Sequence, residues 1–324
     1  MTAMELDVLK INKMKKIVIL LICFQQFYSC TQPKQWQNIS LSTKDHLHDI
    51  EVIDDKIAIS YSYGTGKLFK TINSGETWKQ IHQFDSIYFE QIQFIDKNVG
   101  WICGSPNKLF KTSDGGITWT DISTKEKPNS LIYGMLFTDK NIGYFSEMYR
   151  SQKGMFSDIY QTNNGGEDWQ LIHTIKAPIV NLEKLDNTIY GTGSNIIIKD
   201  IDKEEYAISF LDSTRKVGGI RDIAINKNGE IKAASFNGYV LSLANNQWVS
   251  KQITKNRLRS ISTLDKFWLV AGDSIKEPNH IFKSIDGENW NSIQNQYPDV
   301  HRTVTLNNTL WMAGKKGFIT KKTY

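Results

Sequence analysis

The residues in this chain best suited to chemistry are its arginines, and there are only six: Arg150, Arg215, Arg221, Arg257, Arg259 and Arg302. Three of them open short alternating segments, Arg221 in "RDIAIN", Arg259 in "RSISTL" and Arg302 in "RTVTLN". Four more segments of the same kind open on His48 ("HDIEVI"), Glu90 ("EQIQFI"), Tyr133 ("YGMLFT") and Val180 ("VNLEKL"). If these segments are equivalent strands, the seven residues form one row at a common height. Lysine is far commoner than arginine here but is absent from the row, which points to a need for planar, bidentate donors. Two readings follow. The arginines brace strand edges through Asp222 or backbone carbonyls, or they form a carboxylate-binding patch for an acidic peptide or an acidic sugar. In the second reading Arg221, Arg259 and Arg302 are the core of the patch, with Arg257 and His48 beside it. Tyr133 and Glu90 stand in the same row and supply the alternative of a catalytic pair.

Other chemistry has less to work with. His46 and His48 in "HLH" give two imidazoles without an evident third ligand, so no metal site is expected. The glycines of "YGTG" (residues 63–66) and "GTG" (191–193) end strands and open no helix, so neither can cradle a nucleotide phosphate, and no cofactor is expected. Cys103, in "GWICGS", reads as a buried structural thiol.

The elements that would position the row come from a repeat. "KTINSGETWKQI" begins at Lys70, "KTSDGGITWTDI" at Lys111, "QTNNGGEDWQLI" at Gln161 and the shorter "KSIDGENWNSI" at Lys283. The shared frame is Thr or Ser, any residue, Asp or Asn, a glycine turn, then Trp. Spacings near forty residues leave room for four short strands per unit, the period of a propeller blade. "FEQIQFIDKNVGWICGSPNKLFKTSDGGITWTDI" divides at its turn residues into strands 89–95, 99–104, 108–112 and 117–122. Strand-four positions fall at Trp36, Trp78, Trp119, Trp169, a Trp-less site near Ala207, Trp248 and Trp290, which makes seven. The C-terminal unit has only three strands, and an orphan strand, "KQWQNIS", precedes the first unit. The expectation is an all-β, seven-bladed β-propeller closed by its N-terminal strand pairing into the last blade, with six blades as the alternative. It occupies residues 34–324 as a single domain.

The turn resembles the Asp-box, or BNR repeat, of sialidases and other propellers. Asn73, Gly75 and Trp78, Asp114, Gly116 and Trp119, Asn164, Gly166 and Trp169, and Asp286, Gly287 and Trp290 hold its positions. The Asp or Asn can bond amides of its own turn and the Trp can fill a seam, so these residues read as structural. The wider pattern "VGWICGSPNKLFKTSDGGITW" is similar to the repeat of photosystem II assembly/stability factor-like propellers: Gly100, Trp101, Gly104, Lys111, Thr112, Asp114, Gly115, Gly116, Thr118 and Trp119 match it. That resemblance implies a non-catalytic platform binding an envelope protein or acidic peptide segment through an arginine-lined surface. The sialidase resemblance implies the alternative, a glycoside hydrolase acting on acidic glycans, with Arg221, Arg259 and Arg302 on the substrate carboxylate and Tyr133 with Glu90 as the nucleophile pair. Its acid would have to be a residue such as Asp45, and no motif of the "RIP" type precedes the repeats.

The N-terminus reads as an export signal. "MKKIVILLICFQQFYSC" has a basic start at Met14 and an apolar stretch too short to span a bilayer, and it ends at Cys30. It resembles a bacterial lipoprotein signal with Cys30 as the lipidated residue, although Phe27 and Tyr28 are bulkier than the usual residues there; translation starts at Met1 or Met14. Residues 1–29 would be an extension and signal peptide and 30–33 a short tether. The expected location is the periplasm-facing cell envelope, anchored by lipid, with plain secretion as the alternative. The formal charge is +5, of which the signal region carries two, too weak and scattered for nucleic-acid binding. A monomer is expected.

Overall fold

The computed structural model describes residues 35–324 apart from 42, 86, 125, 126, 128, 212, 213, 215, 279 and 294–296. The signal region, Cys30, the tether, Lys34 and Arg215 lie outside these residues. Residues Gln37–Tyr324 make one compact unit of seven four-stranded antiparallel sheets, a seven-bladed β-propeller. Blades 1 to 6 run in sequence over residues 47–83, 88–121, 131–175, 179–210, 220–252 and 257–292. Blade 7 combines residues 300–323 with Gln37–Ser40. That first strand pairs antiparallel with the last, from Gln37↔Lys321 to Ser40↔Phe318, which occupies the open edge of blade 7 and ties the two ends of the chain together.

The six-blade alternative fails at the Trp-less segment. Ala207–Phe210 pairs with Ile196–Lys199 as a complete fourth strand. Tyr206 packs against the apolar seam there, where other blades use Trp. The core is divided among the seams: each of six apolar clusters joins residues of two neighbouring blades, such as Trp101 and Leu109 of blade 2 with Phe137 and Phe145 of blade 3. Trp101 lies flat on Phe137 with ring centroids 3.6 Å apart. Cys103 is fully buried in the same cluster, and burial pushes its thiol well above the ordinary range, so it is no nucleophile.

The repeated turns share one bond pattern. Thr112 Oγ1 donates to Asp114 Oδ1 (2.9 Å) and accepts from Gly116 N (3.0 Å), while Asp114 Oδ1 also accepts from Thr118 N (2.9 Å). Thr71, Asn73 and Gly75 repeat this geometry, as do Thr162, Asn164 and Gly166, and Ser284 with Asp286 keeps its first bond. A side chain thus satisfies amides that the turn leaves unpaired. Trp78, Trp119, Trp169 and Trp290 each pack onto a seam cluster. Gly115 N donates to Asn98 O (2.8 Å) in the turn between strands one and two, so these turns sit at the end of the blade opposite the starts of the strand-one segments.

Strand one is the inner edge of every sheet, and its free amides need partners. The preceding blade supplies them. Gln91 Oε1 accepts from Met135 N (2.8 Å), and Gln93 Oε1 accepts from Phe137 N (2.7 Å) while its Nε2 donates to Phe137 O (2.9 Å). Asp222 Oδ2 accepts from Ile261 N (2.9 Å), and Ser260 Oγ from Thr303 N (3.1 Å). Polar side chains therefore lace the blades together around the axis. Gln93→Met, which keeps the length and removes both bonds, should lower stability by about 1–3 kcal/mol. Urea unfolding would show this as a fall in the midpoint without a change in slope.

Candidate functional site

Every strand-one segment carries a β-bulge at the same place. Pairing with strand two skips one residue in each blade: His48, Glu90, Tyr133, Val180, Arg221, Arg259 and His301. A bulged residue has no partner in the ladder, and the local kink re-aims its side chain. All seven line one small cavity at the axis. Close packing accompanies the bulge. A Cβ on Gly104, Gly193, Gly272 or Gly314 would stand 2.2, 1.8, 1.9 or 2.0 Å from the carbonyl oxygen of Tyr88, Pro178, Arg257 or Asp299, the residue just before or at the start of strand one. Only glycine permits that approach.

Six of the seven residues are those of the row read from the sequence. The seventh differs: in blade 7 the bulge falls on His301, and Arg302 is the next residue along. Arg302 still touches the cavity but turns down the channel. Its Nε lies 3.3 Å from Asp49 Oδ1 and its Nη1 3.1 Å from Asp222 Oδ2. Asp49 and Asp222 are the residues that follow the bulge in blades 1 and 5, so Arg302 belongs to a second ring directly beneath the first. Pairing every strand on the buried apolar residue before its bulge (Leu47, Phe89, Ile132, Ile179, Ile220, Leu258, Val300) gives the correct register. That apolar anchor was the usable sequence signal.

The mouth is cationic and aromatic. Arg221 faces the Tyr133 ring at 5.9 Å and the Phe236 ring at 5.1 Å. Among the described residues it has no carboxylate within ion-pair distance. Arg259 Nε donates to Asp273 Oδ2 (2.8 Å), and His301 Nε2 lies 3.5 Å from Asp273 Oδ1. His48 stacks on Tyr63 (5.0 Å) and shares a 3.1 Å hydrogen bond with Tyr61 Oη. Desolvation, reinforced by His301, Arg221 and Arg259, keeps the His48 imidazole well below its ordinary range, so it is neutral near pH 7. Burial raises Glu90 to about 7 against the pull of Arg221 and Arg259.

Phe236 and Asp273 were not singled out in the sequence. Phe236 sits in the turn between strands two and three of blade 5, with the guanidinium carbons of Arg221, Arg257 and Arg259 at 5.1, 5.7 and 5.4 Å from its ring centre. Arg257 is exposed and lines a neighbouring cleft, not the mouth cavity. Asp45 is paired with Lys67 (2.9 Å) and is no free acid. The cavity holds only ≈ 50 Å³. Small-molecule sites run to about 300–1,000 Å³. A void of this size admits a carboxylate head, and Asp45, the acid that the sialidase reading needs, is held by Lys67.

Below the mouth, Arg302 is the central cation for Asp49, Glu51, Glu183 and Asp222. Desolvation dominates for the acids: Asp49 rises to about 6, Glu183 to about 7 and Glu51 to about 8, the last with help from the Asp49 charge. The same four carboxylates hold Arg302 charged. Glu51 and Asp49 also accept from Phe94 N (3.3 Å) and Ile92 N (3.4 Å), so the acids serve the lacing of blades 1 and 2.

Comparison with known proteins adds a family. Residues 28–323 match the family model described as photosynthesis system II assembly factor YCF48. No curated protein matches the chain. Among solved structures, YCF48 bound to D1 peptide superposes with a TM-score of 0.70 at 16% identity, covering 90% of this chain and 99% of that one. YCF48 from Cyanidioschyzon merolae gives 0.68 at 16%, covering 89% and 98%. A catalytically inactive virginiamycin B lyase from Staphylococcus aureus with quinupristin gives 0.71 at 12%, covering 90% and 99%. At these identities the likeness to each structure is one of fold.

The channel acids have a consequence for stability. The folded protein retains protons that the unfolded chain has released above about pH 4, so stability should fall as pH rises through the values of about 6, 7 and 8 for Asp49, Glu183 and Glu51. Thermal melts from pH 5 to 9 should show a declining Tm that levels off above pH 8, and Glu51→Gln should flatten the upper part of the decline.

Proposed function

The chain belongs to the photosynthesis system II assembly factor YCF48 family, and on that premise we propose that it is a non-catalytic platform whose arginine mouth binds an acidic peptide segment of a partner protein. The observation that carries this is Arg221, a half-buried guanidinium at the propeller axis with aromatic rings beside it and, among the described residues, no carboxylate within ion-pair distance. Such a group in a recessed site favours an incoming carboxylate over water, because two planar N–H donors can pair with two oxygens. Arg259 adds a second positive charge, already oriented by Asp273. The narrow cavity supports a side-chain carboxylate as the entering group. YCF48 bound to D1 peptide is an example of this fold holding a peptide. A photosystem partner is not implied for this chain by the family's name.

Glu90 makes the binding proton-linked. It faces Arg221 and Arg259, with His48, Tyr133 and His301 around the same cavity. Ionised, it competes with an incoming carboxylate; protonated, it does not. A labelled peptide with one Asp should therefore bind more tightly at pH 6 than at pH 8, on either side of the value of about 7 for Glu90. Glu90→Gln should remove most of that difference, and Arg221→Ala should weaken binding about tenfold or more at both pH values. Equal binding of the Asp peptide and its Asn counterpart by the wild type would overturn the reading.

We further propose that the chain is exported and held on the periplasm-facing envelope as a monomer by a lipid on Cys30. The support is the basic start, short apolar stretch and terminal cysteine of the leader. A single clickable fatty acid fed to producing cells should label the wild-type protein and leave Cys30→Ser unlabelled; label retained in Cys30→Ser would rule out this anchor.

A further inference from the structure

We propose that a second anion subsite lies beside the mouth, between blades 5 and 6, and that the two form one track for a linear peptide bearing two acidic residues about three positions apart. The proposal rests on the carboxylate-binding reading of the mouth and extends it to the spacing of the ligand.

The subsite is a cleft of ≈ 440 Å³ on the mouth face. Among the described residues four cations line it, Lys216, Lys255, Arg257 and Lys276, and no carboxylate does. Phe236 and Tyr239 also line it. Glu277 of the adjoining loop is not among the lining residues, and its Oε2 is engaged by Thr254 Oγ1 (2.8 Å) and Lys255 N (3.4 Å). Arg257 is exposed and has no ion pair among the described residues. The wall is held by side chain to backbone bonds, Asn237 Nδ2 to Lys216 O (2.8 Å) and Gln252 Nε2 to Asn237 O (3.1 Å). A recessed, single-sign cleft selects an anionic occupant by charge complementarity.

Phe236 joins the two sites. It lines the cleft, yet its ring also contacts Arg221 and Arg259 of the mouth, at 5.1 and 5.4 Å. Arg257 stands 5.7 Å from the same ring. The guanidinium carbons of Arg221 and Arg257 are therefore no more than about 11 Å apart, a distance an extended chain covers in about three residues. One ligand carboxylate would enter the mouth on Arg221 while a second, about three positions away, meets Arg257 and Lys276. The chain between them would cross the face of Phe236. Occupying both subsites makes the second contact intramolecular, which raises affinity without a new type of contact.

The test uses the full chain and fluorescence anisotropy with blocked Gly/Ser peptides of equal length: one Asp, two Asp three positions apart, and two Asp seven positions apart. The three-position probe should bind about tenfold more tightly than the one-Asp probe, and the seven-position probe should gain clearly less. In Arg257→Ala/Lys276→Ala, a change confined to exposed side chains, the advantage of the three-position probe over the one-Asp probe should fall to about onefold. Arg221→Ala should weaken every probe. An advantage that is absent in the wild type, or that survives in Arg257→Ala/Lys276→Ala, overturns the track while leaving the mouth reading intact. A one-Asp probe that binds no better than its Asn counterpart and ignores Arg221→Ala overturns the mouth reading, and the track with it.

Discussion

The structure depends on a single irregularity repeated seven times, the bulge near the start of strand one. Ladder pairing alone would hold successive side chains on alternate faces of each sheet, toward one seam or the other. The extra residue breaks that alternation and aims one side chain per blade at the axis. The bulge is compatible with the sheets because strand two offers glycine, or a small or polar residue, opposite it, and Gly104, Gly193, Gly272 and Gly314 permit backbone approaches that any Cβ would block. Of the residues that follow the bulges, Gln91, Asp222 and Ser260 satisfy the free inner-edge amides of the next blade. One local device thus builds the mouth and secures the ring beneath it.

That arrangement separates two arginines that look equivalent. Arg221 and Arg302 both stand near the start of an inner strand. Arg221 occupies a bulge, and its charge faces rings and the mouth cavity. Arg302 lies one residue past a bulge and serves as the counter-charge for the buried carboxylates of the channel. Removing Arg302 would leave those carboxylates unpaired in a desolvated site, a severe penalty of about 3–5 kcal/mol for a buried pair broken on one side. Removing Arg221 breaks no ion pair among the described residues, and Glu90 keeps Arg259 as a neighbouring cation. A one-residue difference in register decides whether an arginine belongs to stability or to binding.

The repeat and the mouth occupy opposite ends of the blades and meet different physical demands. The Thr–Asx–Gly turns and their tryptophans answer a demand common to every blade, unpaired turn amides and an open seam, so the same residues recur. The turn is missing from several blades, and in blade 4 Tyr206 still covers the seam. The bulge positions answer no common demand, and they hold His, Glu, Tyr, Val, Arg, Arg and His. Chemistry on this fold is carried by a site that the repeat leaves open.

The sequence by itself pointed to seven blades, with six left open, and to the closing strand, the bracing turns and six of the seven mouth residues, because these rest on local periodicity and on turns whose side chains bond their own backbone. It could not determine the bulges, so Arg302 was read into the mouth in place of His301. It was silent on Phe236, which lies in a different turn of its blade yet gathers Arg221, Arg257 and Arg259 around one ring. It was also silent on the pairing of Arg259 and His301 with Asp273. These were decided only in the tertiary structure, since they arise where side chains from separate blades converge, and convergence depends on the direction of each side chain as well as its place along the strand.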